Sequence, residues 1–444
     1  MRDGDKQPSA RAVSWFSILL LIALLIVSAG KYRAGIVRPD NAADLLIPFC
    51  GARAWVDGSN PYDEQILYRR AEAGGVSNLS LYHTDWLPPV YPPSTFVLLA
   101  PLAFLSWPVA IHVWELTSDL LFLVSLAALL HLSGLRPRDF RALLLILFCL
   151  AFAPPRNAMV MGQNALPATC LVIISASALR LRRNRAAGFL LALALCLKPQ
   201  DAAMILLFYA LIGRWRAVAW SAGVTAAISV LAIIRLQVSP VGWQWLNDWL
   251  AWVRRSTLPG GINDPSSLNE FRLLLIHLPV ALFTIFSSRW LVFVLSGLIS
   301  GAIGILGALA IFRRTRSSHV ESPDLLSFSA AASFALMATF HRFPDAILLL
   351  LPAAWAVSRL GTAGETRARV TLFLLLPFLM NIRDVIIALI HRGVITRQLT
   401  EHWWWQCFVS ASPAWLILLT TCWLIAILLS DPQEDSPPQI ASCL

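Results

Sequence analysis

Residues 186–212 read AAGFLLALALCLKPQDAAMILLFYALI, a run in which only Lys198 and Asp201 are charged. A helix needs roughly 20 apolar residues to cross a bilayer. The whole chain of 444 residues has the same character, since 57% of its residues are apolar and 14% are charged, against about 25% charged in an ordinary soluble domain. Such a chain has too few polar groups to cover a water-facing surface. The sequence therefore predicts an all-α polytopic membrane protein.

Apolar runs recur along the chain and predict about 10–13 transmembrane or re-entrant helices, because several runs are short or interrupted by proline. The candidate segments are 13–30, 91–107, 109–132, 141–155, 165–180, 186–212, 217–235, 273–286, 289–312, 325–340, 345–359, 369–390 and 411–430. Together they predict one membrane domain over residues 13–430. A cytoplasmic tail, residues 1–12, precedes it, and a proline-rich polar tail, residues 431–444, is expected to be disordered.

Arginine clusters between the apolar runs predict which ends of the helices face the cytoplasm. The clusters are Arg180/Arg182/Arg183/Arg185, Arg214/Arg216 and Arg313/Arg314/Arg316, with Arg2, Lys6 and Arg11 at the amino terminus. The first connection, residues 31–90, then lies outside. If every apolar segment between residues 136 and 183 crosses the membrane once, the number of crossings does not agree with the predicted cytoplasmic ends. Segment 141–155 is therefore predicted to be re-entrant.

The charge and the cysteines exclude several other classes. The formal net charge is +10, but the basic residues lack the interleaved aromatic residues of single-strand binders, so no nucleic-acid partner is expected. Contacts to the phosphates of membrane lipids explain the arginine clusters better than nucleic-acid binding does. The seven cysteines are scattered, without the spacing of a metal site. No cofactor is therefore expected, and the sequence does not indicate a divalent metal but leaves metal dependence open.

The first connection contains a helical pattern, NAADLLIPFCGARAWVDGSNPYDEQILYRRAE over residues 41–72. Its apolar positions form one stripe, at Leu45, Phe49, Ala52 and Val56. This pattern predicts an amphipathic helix that lies on the membrane surface and ends at Gly58. Asn60 is predicted to cap a second helix with Pro61 in its first position. Asp44 falls at the start of the first helix, at the boundary between water and lipid.

Two interpretations of Asp44 follow from this position. A carboxylate at a helix start is stabilised by the helix dipole and needs no chemical role. Alternatively, Asp44 is a general base at the mouth of a cavity between the helices and the bilayer. The spacing alone leaves both interpretations open.

The stretch DLLIPFCGARAWVDGSNPYD, residues 44–63, resembles the first-loop signature of glycosyltransferase family 87. These integral-membrane GT-C enzymes use polyprenyl-phosphate sugars and include mycobacterial polyprenol-phosphate-mannose-dependent mannosyltransferases. Further similar motifs follow in order: Tyr91-Pro92-Pro93 with Leu98-Leu99-Ala100-Pro101, Gly162-Gln163-Asn164, AGFLLALALCLKP over residues 187–199, and a weaker echo at His341-Arg342-Phe343-Pro344-Asp345. The chain departs from the family at Leu45 and Pro48-Phe49, where aromatic residues are frequent, which puts the shape of the acceptor pocket in doubt.

The resemblance implies a GT-C fold and an inverting glycosyltransferase. The enzyme would move a monosaccharide, mannose-like or a pentose, from a polyprenyl-phosphate donor to a glycolipid or glycan acceptor. The reaction would take place on the outer side of the cell inner (cytoplasmic) membrane. The alternative is a transporter or flippase of lipid-linked sugars, which predicts two related halves. No similarity between the halves of the chain is evident.

The resemblance makes Asp44 the candidate catalytic base, with Asp40 as the rival base. Lys198 interrupts an apolar run, and an ionisable residue at membrane depth is a functional candidate by default. We expect Lys198 to bind the donor phosphate, although snorkelling to the interface or a pair with Asp201 explains it equally well. Arg156 is a second candidate for the same phosphate.

Four further residues are candidates for binding the donor. By resemblance, His341 contacts the lipid phosphate or the sugar, with Arg342 beside it. As a lone histidine between two apolar runs, His341 would otherwise be an interfacial residue. Gln163 and Asn164 are expected to hydrogen-bond sugar hydroxyls, and a capped helix start is the alternative for both.

Overall fold

The computed structural model describes residues 17–22, 26, 42–76, 89–317 and 324–430. Most of candidate segment 13–30 lies outside these residues, as do Asp40 and the two tails, 1–12 and 431–444. Every secondary-structure element within the described residues is helical, apart from one isolated β-bridge between Leu275 and Arg342. The predicted all-α class is confirmed.

The described helices follow one another with short connections. The first ten are α1 (Ala43–Val56), α2 (Glu64–Ala73), α3 (Pro93–Ala103), α4 (Trp107–Ser133), α5 (Phe140–Ala151), α6 (Ala153–Met161), α7 (Ala165–Arg180), α8 (Asn184–Leu197), α9 (Pro199–Leu211) and α10 (Trp215–Val238). The next ten are α11 (Gln244–Thr257), α12 (Leu278–Leu282), α13 (Arg289–Ser317), α14 (Leu325–Ala338), α15 (Leu350–Arg359), α16 (Glu365–Leu375), α17 (Ile382–His391), α18 (Arg397–Glu401), α19 (Trp403–Trp405) and α20 (Ser412–Ser430). Short 3₁₀ turns cover Arg272–Leu274, Phe343–Leu349 and Leu376–Leu379, and a π turn covers Gln406–Ser410.

Four of the described helices, α4, α10, α13 and α20, are long and apolar enough to cross a membrane singly. Two bent pairs raise the number of candidate spans in the described chain to six. Helices α5 and α6 bend by 41°, and α16 with its 3₁₀ turn bends by 48° against α17. Five shorter apolar helices, α3, α7, α8, α9 and α14, complete the bundle. The chain is therefore a multi-pass membrane protein.

The basic ends of α4 and α7 lie together. His131 Nδ1 lies 2.9 Å from Ser177 Oγ, and the Arg180 guanidinium donates to the carbonyl of Leu132. Helices α5 and α6 then lead the chain from this end to Gly162, which packs against Leu45 of α1 at the opposite end. The bend of 41° fits either a broken span or a re-entrant segment, so the re-entrant segment predicted at 141–155 stays a prediction.

Gly188 explains why α8 and α10 pack so closely. A Cβ atom at this position would lie 2.4 Å from the carbonyl oxygen of Ala217 and 2.7 Å from Cβ of Trp220. Only glycine leaves room for two helix backbones at this separation. The close crossing fixes α8, and with it the position of Lys198 directly after α8.

Helix α1 begins and ends near the predicted residues, but its surroundings differ from the prediction. It is buried on every side, with Asp44, Leu45, Phe49 and Trp55 among its buried residues, so it does not lie on the membrane surface. Helix α3 covers it, because Phe96 packs where a side chain at position 51 would otherwise be.

The second loop helix starts later than predicted. Helix α2 is capped by Asp63, whose Oδ1 accepts a hydrogen bond from the backbone N–H of Ile66 at 3.0 Å. Asn60 does not cap it. Its Oδ1 accepts from the N–H of Tyr62 at 3.1 Å in a local turn, and its Nδ2 donates to Asp248 of α11 at 2.6 Å.

Candidate active site

A cavity opens at the end of the bundle opposite the arginine clusters. It lies between α1, the start of α3, the α6–α7 turn, the α8–α9 break, the segment after α14 and the loop after α11. Its polar lining residues are Asp44, Tyr91, Gln163, Asn164, Lys198, Gln200, Asn263 and Arg342. Five residues predicted from the sequence therefore line one cavity: Asp44, Gln163, Asn164, Lys198 and Arg342.

The turn between α6 and α7 brings Gln163 to Asp44. Gly162 ends α6 with φ +65°, a left-handed conformation that disfavours residues with a side chain. A Cβ atom there would lie 3.0 Å from the Cβ atoms of Ala42 and Leu45. The turn can therefore approach the start of α1 closely, and Gln163 Nε2 donates a hydrogen bond to Oδ2 of Asp44.

The break between α8 and α9 aims Lys198 into the cavity. Pro199 has no backbone N–H and disfavours helical backbone at the preceding residue. Lys198 accordingly has φ −153° and ψ 87°, which ends α8 and starts α9 at once. Its side chain is 12% exposed, and its ammonium group donates to Oδ1 of the fully buried Asp345.

Arg342 reaches the cavity from the segment after α14. Its backbone N–H donates to Oδ2 of Asp345 at 2.9 Å, within a turn that starts the 3₁₀ helix. Its guanidinium donates to Oδ1 of Asn263 at 2.8 Å. Asn263 follows α11, and neighbouring Asp264 is tied to Arg289 of α13 at 2.7 Å. The loop is thereby anchored to both the cavity and the bundle.

The carboxyl group of Asp44 is 8% exposed. Burial raises its pKa above the ordinary 3.8, while the positive charge of Arg342, the hydrogen bond from Gln163 and the charge of Lys198 oppose the rise. A carboxylate with a raised pKa is a stronger base than one in water. Asp44 can therefore accept a proton from a hydroxyl group bound in the cavity.

Two buried amides at the cavity have free hydrogen-bonding atoms. Within the described residues, Oε1 of Gln163 and both side-chain polar atoms of Asn164 are buried and have no partner. Buried polar groups are nearly always paired, so such atoms call for an explanation. Together with the start of α7 directly after Asn164, they form a polar patch in the lining of the cavity, and this patch suits hydroxyl groups.

Two candidates, His341 and Arg156, are outside the cavity lining, and the structure does not describe a third. His341 is fully buried behind the cavity lining, with Nδ1 2.6 Å from the carbonyl oxygen of Phe340. Burial lowers the pKa of His341 to about 4, so its imidazole is neutral at pH 7. Arg156, on α6, is outside the cavity lining, and its positive charge interacts with the carboxyl group of Asp384 on α17. Asp40 lies outside the described residues.

A group that could hold a metal ion lies beside the cavity. Asp201, His341 and Asp345 bring ligand atoms within 4.8 Å of one another, a donor set of one imidazole and two carboxylates. The Lys198 ammonium already contacts Asp345 and balances one of these carboxylates. Metal dependence, which the sequence left open, is not decided by this group.

The model of glycosyltransferase family 87 matches residues 90–339, more than half of the chain. The chain belongs to glycosyltransferase family 87. It is therefore a membrane glycosyltransferase, and the family suspected from the sequence is confirmed. No curated protein and no solved structure matches the chain. The family match includes Gln163, Asn164 and Lys198, and ends before Arg342.

Sequence reasoning missed Gln200 and Asn263, which line the candidate cavity of this family 87 protein. It also missed a compositional signal. The chain has 35 basic residues, but only three are lysines: Lys6, Lys31 and Lys198. Lys198 is thus the lone lysine within the described residues. Lysine and arginine differ in shape and in how they hydrogen-bond, so arginine is not an equivalent replacement at this largely buried, charge-paired position.

Proposed function

We propose that this family 87 protein is an inverting transferase that moves a monosaccharide from a polyprenyl-phosphate donor to a glycolipid or glycan acceptor. The observation that carries the proposal is the composition of one cavity. A single buried carboxylate, Asp44, and two cations, Lys198 and Arg342, line the same cavity. This is the arrangement needed to remove a proton from one group while a phosphate leaves from another.

Asp44 acts as the general base in this proposal. The acceptor hydroxyl attacks the anomeric carbon of the sugar, and its proton passes to the carboxylate of Asp44. A positioned base of this kind contributes typically about 10²–10⁴-fold to the rate. Gln163 donates to the other side of the carboxylate and keeps it oriented.

Lys198 and Arg342 stabilise the leaving group. As the new bond forms, the bond between the anomeric carbon and the phosphate oxygen breaks, and polyprenyl phosphate departs with one additional negative charge. Cationic groups aimed at the developing charge lower the barrier. Since the phosphate leaves as an acidic group, no second carboxylate is needed to protonate it.

The unpaired amide atoms of Gln163 and Asn164 bind the sugar hydroxyls between the base and the phosphate. Attack and departure then occur on opposite faces of the anomeric carbon. Single displacement with one base inverts the anomeric configuration, as in inverting glycosidases, which form no covalent intermediate. A mannose-like sugar or a pentose is the proposed donor sugar.

The placement of the arginine clusters supports an active site on the outer side of the cytoplasmic membrane. Helix α7 starts at the cavity and ends at Arg180, α9 starts at Pro199 and leads to Arg214, and α13 starts beside the cavity loop and ends at the cluster around Arg314. The cavity and the clusters therefore lie at opposite ends of the same helices. By the positive-inside rule, the cavity faces outward.

Reconstitution with defined donors tests the proposal. The purified protein in lipid nanodiscs is incubated with labelled polyprenyl-phosphate mannose or pentose, and in parallel with the nucleotide-activated forms of the same sugars. We expect transfer from the lipid donors alone, with a product whose anomeric configuration, measured by NMR, is opposite to that of the donor. Transfer from a nucleotide sugar, retention of configuration, or movement of the donor across vesicles without transfer would overturn it.

A further inference from the structure

Asp345 is fully buried and is outside the cavity lining, yet it contacts both residues that supply the cations of the cavity. Its Oδ1 accepts from the ammonium of Lys198. Its Oδ2 accepts from the backbone N–H of Arg342 at 2.9 Å. Both oxygens of one carboxylate thus hold two residues that lie 144 positions apart in the chain (198 and 342).

Lys198 depends on such a partner. A lysine side chain has a flexible four-carbon stem and a compact charge, and its ammonium loses hydration when it is buried. An unpaired buried charge is costly, whereas a paired one is tolerated. Asp345 therefore keeps Lys198 both charged and aimed, while leaving the remaining ammonium hydrogens free for a second anion.

Arg342 is oriented from two directions. The bond from its backbone to Asp345 sets the turn at the start of the 3₁₀ helix, and the bond from its guanidinium to Asn263 sets the side chain. Asp345 lies three residues after Arg342 and Pro344 lies between them, so the turn is short and rigid. A change at Asp345 would disturb both cations together.

We propose that Asp345 is the positioning residue of the donor site, which holds Lys198 and Arg342 so that both bind the phosphate of the lipid donor. This inference rests on the proposed function. Asp345 touches neither sugar nor acceptor and acts through the two cations. Its loss accordingly weakens donor binding and leaves acceptor binding unchanged.

Steady-state kinetics of Asp345→Asn test the inference. We expect the donor KM and the inhibition constant of a short prenyl monophosphate to rise about 10-fold or more, with the acceptor KM within about twofold of wild type. Asp345→Glu restores part of the donor affinity. Asp57→Asn, which removes an exposed acid paired with Arg70 at 2.8 Å, is the control and leaves all three constants unchanged. Equal losses in donor and acceptor KM would contradict the inference, because they indicate general disruption.

A double-mutant cycle shows whether Asp345 acts through Lys198. In a Lys198→Gln background, Asp345→Asn is expected to raise the donor KM by much less than it does alone, since interacting residues are not additive. Additive effects of the two substitutions would contradict the inference. A metal ion bound at one per chain and lost in Asp345→Asn would also contradict it, because the ion would then be the partner of Asp345.

Phosphate binding is also measurable without transfer, which separates this inference from the proposed function. With Lys6→Arg and Lys31→Arg, Lys198 is the only lysine, and reductive ¹³C-methylation gives it a single side-chain NMR signal. We expect a short prenyl monophosphate to shift this signal at about 10-fold lower concentration in the Asp345-containing protein than in Asp345→Asn. Equal titration curves would overturn the inference even if no donor supports transfer.

Discussion

Asp44 shows how much of a side chain's role comes from its surroundings. At the start of α1 its carboxylate would be stabilised by the helix dipole alone. In the folded chain it is also buried, hydrogen-bonded by Gln163 and placed near Arg342. The local sequence pattern predicted the position of Asp44 at a helix start. Its burial, its hydrogen bond from Gln163 and its proximity to Arg342 are visible only in the folded structure. The interpretation of Asp44 as a base depends on them.

The raised pKa of Asp44 makes the reaction sensitive to pH. The base works only when ionised, so the rate must fall as the pH drops through this pKa and Asp44 becomes protonated. Because burial raises the pKa above 3.8, we expect an acidic limb centred above that value. The measurement is kcat/KM for the acceptor between about pH 4 and 8 at saturating donor. A rate that stays constant down to the lower limit, in protein that remains folded, would contradict the assignment.

The predicted residues that line the cavity include side chains that are unusual for their local sequence. Lys198 interrupts an apolar run, and Gln163 follows a glycine at a helix end. Asn263 gave no such signal, because its contact with Arg342 joins residues 79 positions apart. Arg156 lies close to Gln163 in sequence, but the bend between α5 and α6 directs it towards α17. Long-range packing decides these cases.

Helix α1 shows the same limit for a whole element. The periodicity of its apolar residues predicted where the helix begins and ends, because that depends on nearby residues. It did not predict burial on every side, because the helices that cover its polar face are distant in sequence. Helix α3 and the α6–α7 turn supply that cover. A pattern within one helix cannot reveal partners that other segments provide.

Gly162 joins α1 to the α6–α7 turn, and its replacement tests that contact. In Gly162→Ala the left-handed backbone costs about 1–2 kcal/mol, and the new Cβ atom meets Ala42 and Leu45 at 3.0 Å. We expect a lower melting temperature and a fall in transfer of about 10-fold or more, since Gln163 moves away from Asp44. Thermal unfolding and initial rates measure the two effects.

Gly134→Ala is the matched control. Gly134 also ends a helix in the left-handed conformation, with φ +67°, but a Cβ atom there meets nothing within 4 Å. The control should lose only the stability that the left-handed backbone costs, about 1–2 kcal/mol, and keep its transfer rate. An equal loss of transfer in both variants would show that the contact between Gly162 and α1 has no effect on the reaction.

Across the whole molecule, the arginine clusters and the charged residues of the cavity lie at opposite ends of the helices. At one end the arginines are spread over the connections between helices, whereas the cavity at the other end brings together one carboxylate and two cations. Composition and run lengths were sufficient to predict the membrane class. They were insufficient to count the crossings, because α3, α7, α8, α9 and α14 are short helices that sequence alone cannot distinguish from full spans.

Cysteine accessibility in intact cells tests the orientation. Ser267 is exposed in the loop beside the cavity, and Ala363 is exposed between α15 and α16 at the arginine-rich end. With the exposed Cys422 and the tail residue Cys443 replaced by serine, a membrane-impermeant maleimide should label Ser267→Cys and leave Ala363→Cys unlabelled until the cells are lysed. The opposite pattern would place the cavity in the cytoplasm.

The most direct measurement is single-turnover transfer by Asp44→Asn beside Asp57→Asn. The first substitution keeps the shape of the side chain and removes the base, while the second removes an exposed acid of the same loop. We predict that Asp44→Asn binds the polyprenyl-phosphate donor normally and transfers its sugar about 10²–10⁴-fold more slowly, and that Asp57→Asn matches wild type. Transfer by Asp44→Asn at the wild-type rate would contradict the account.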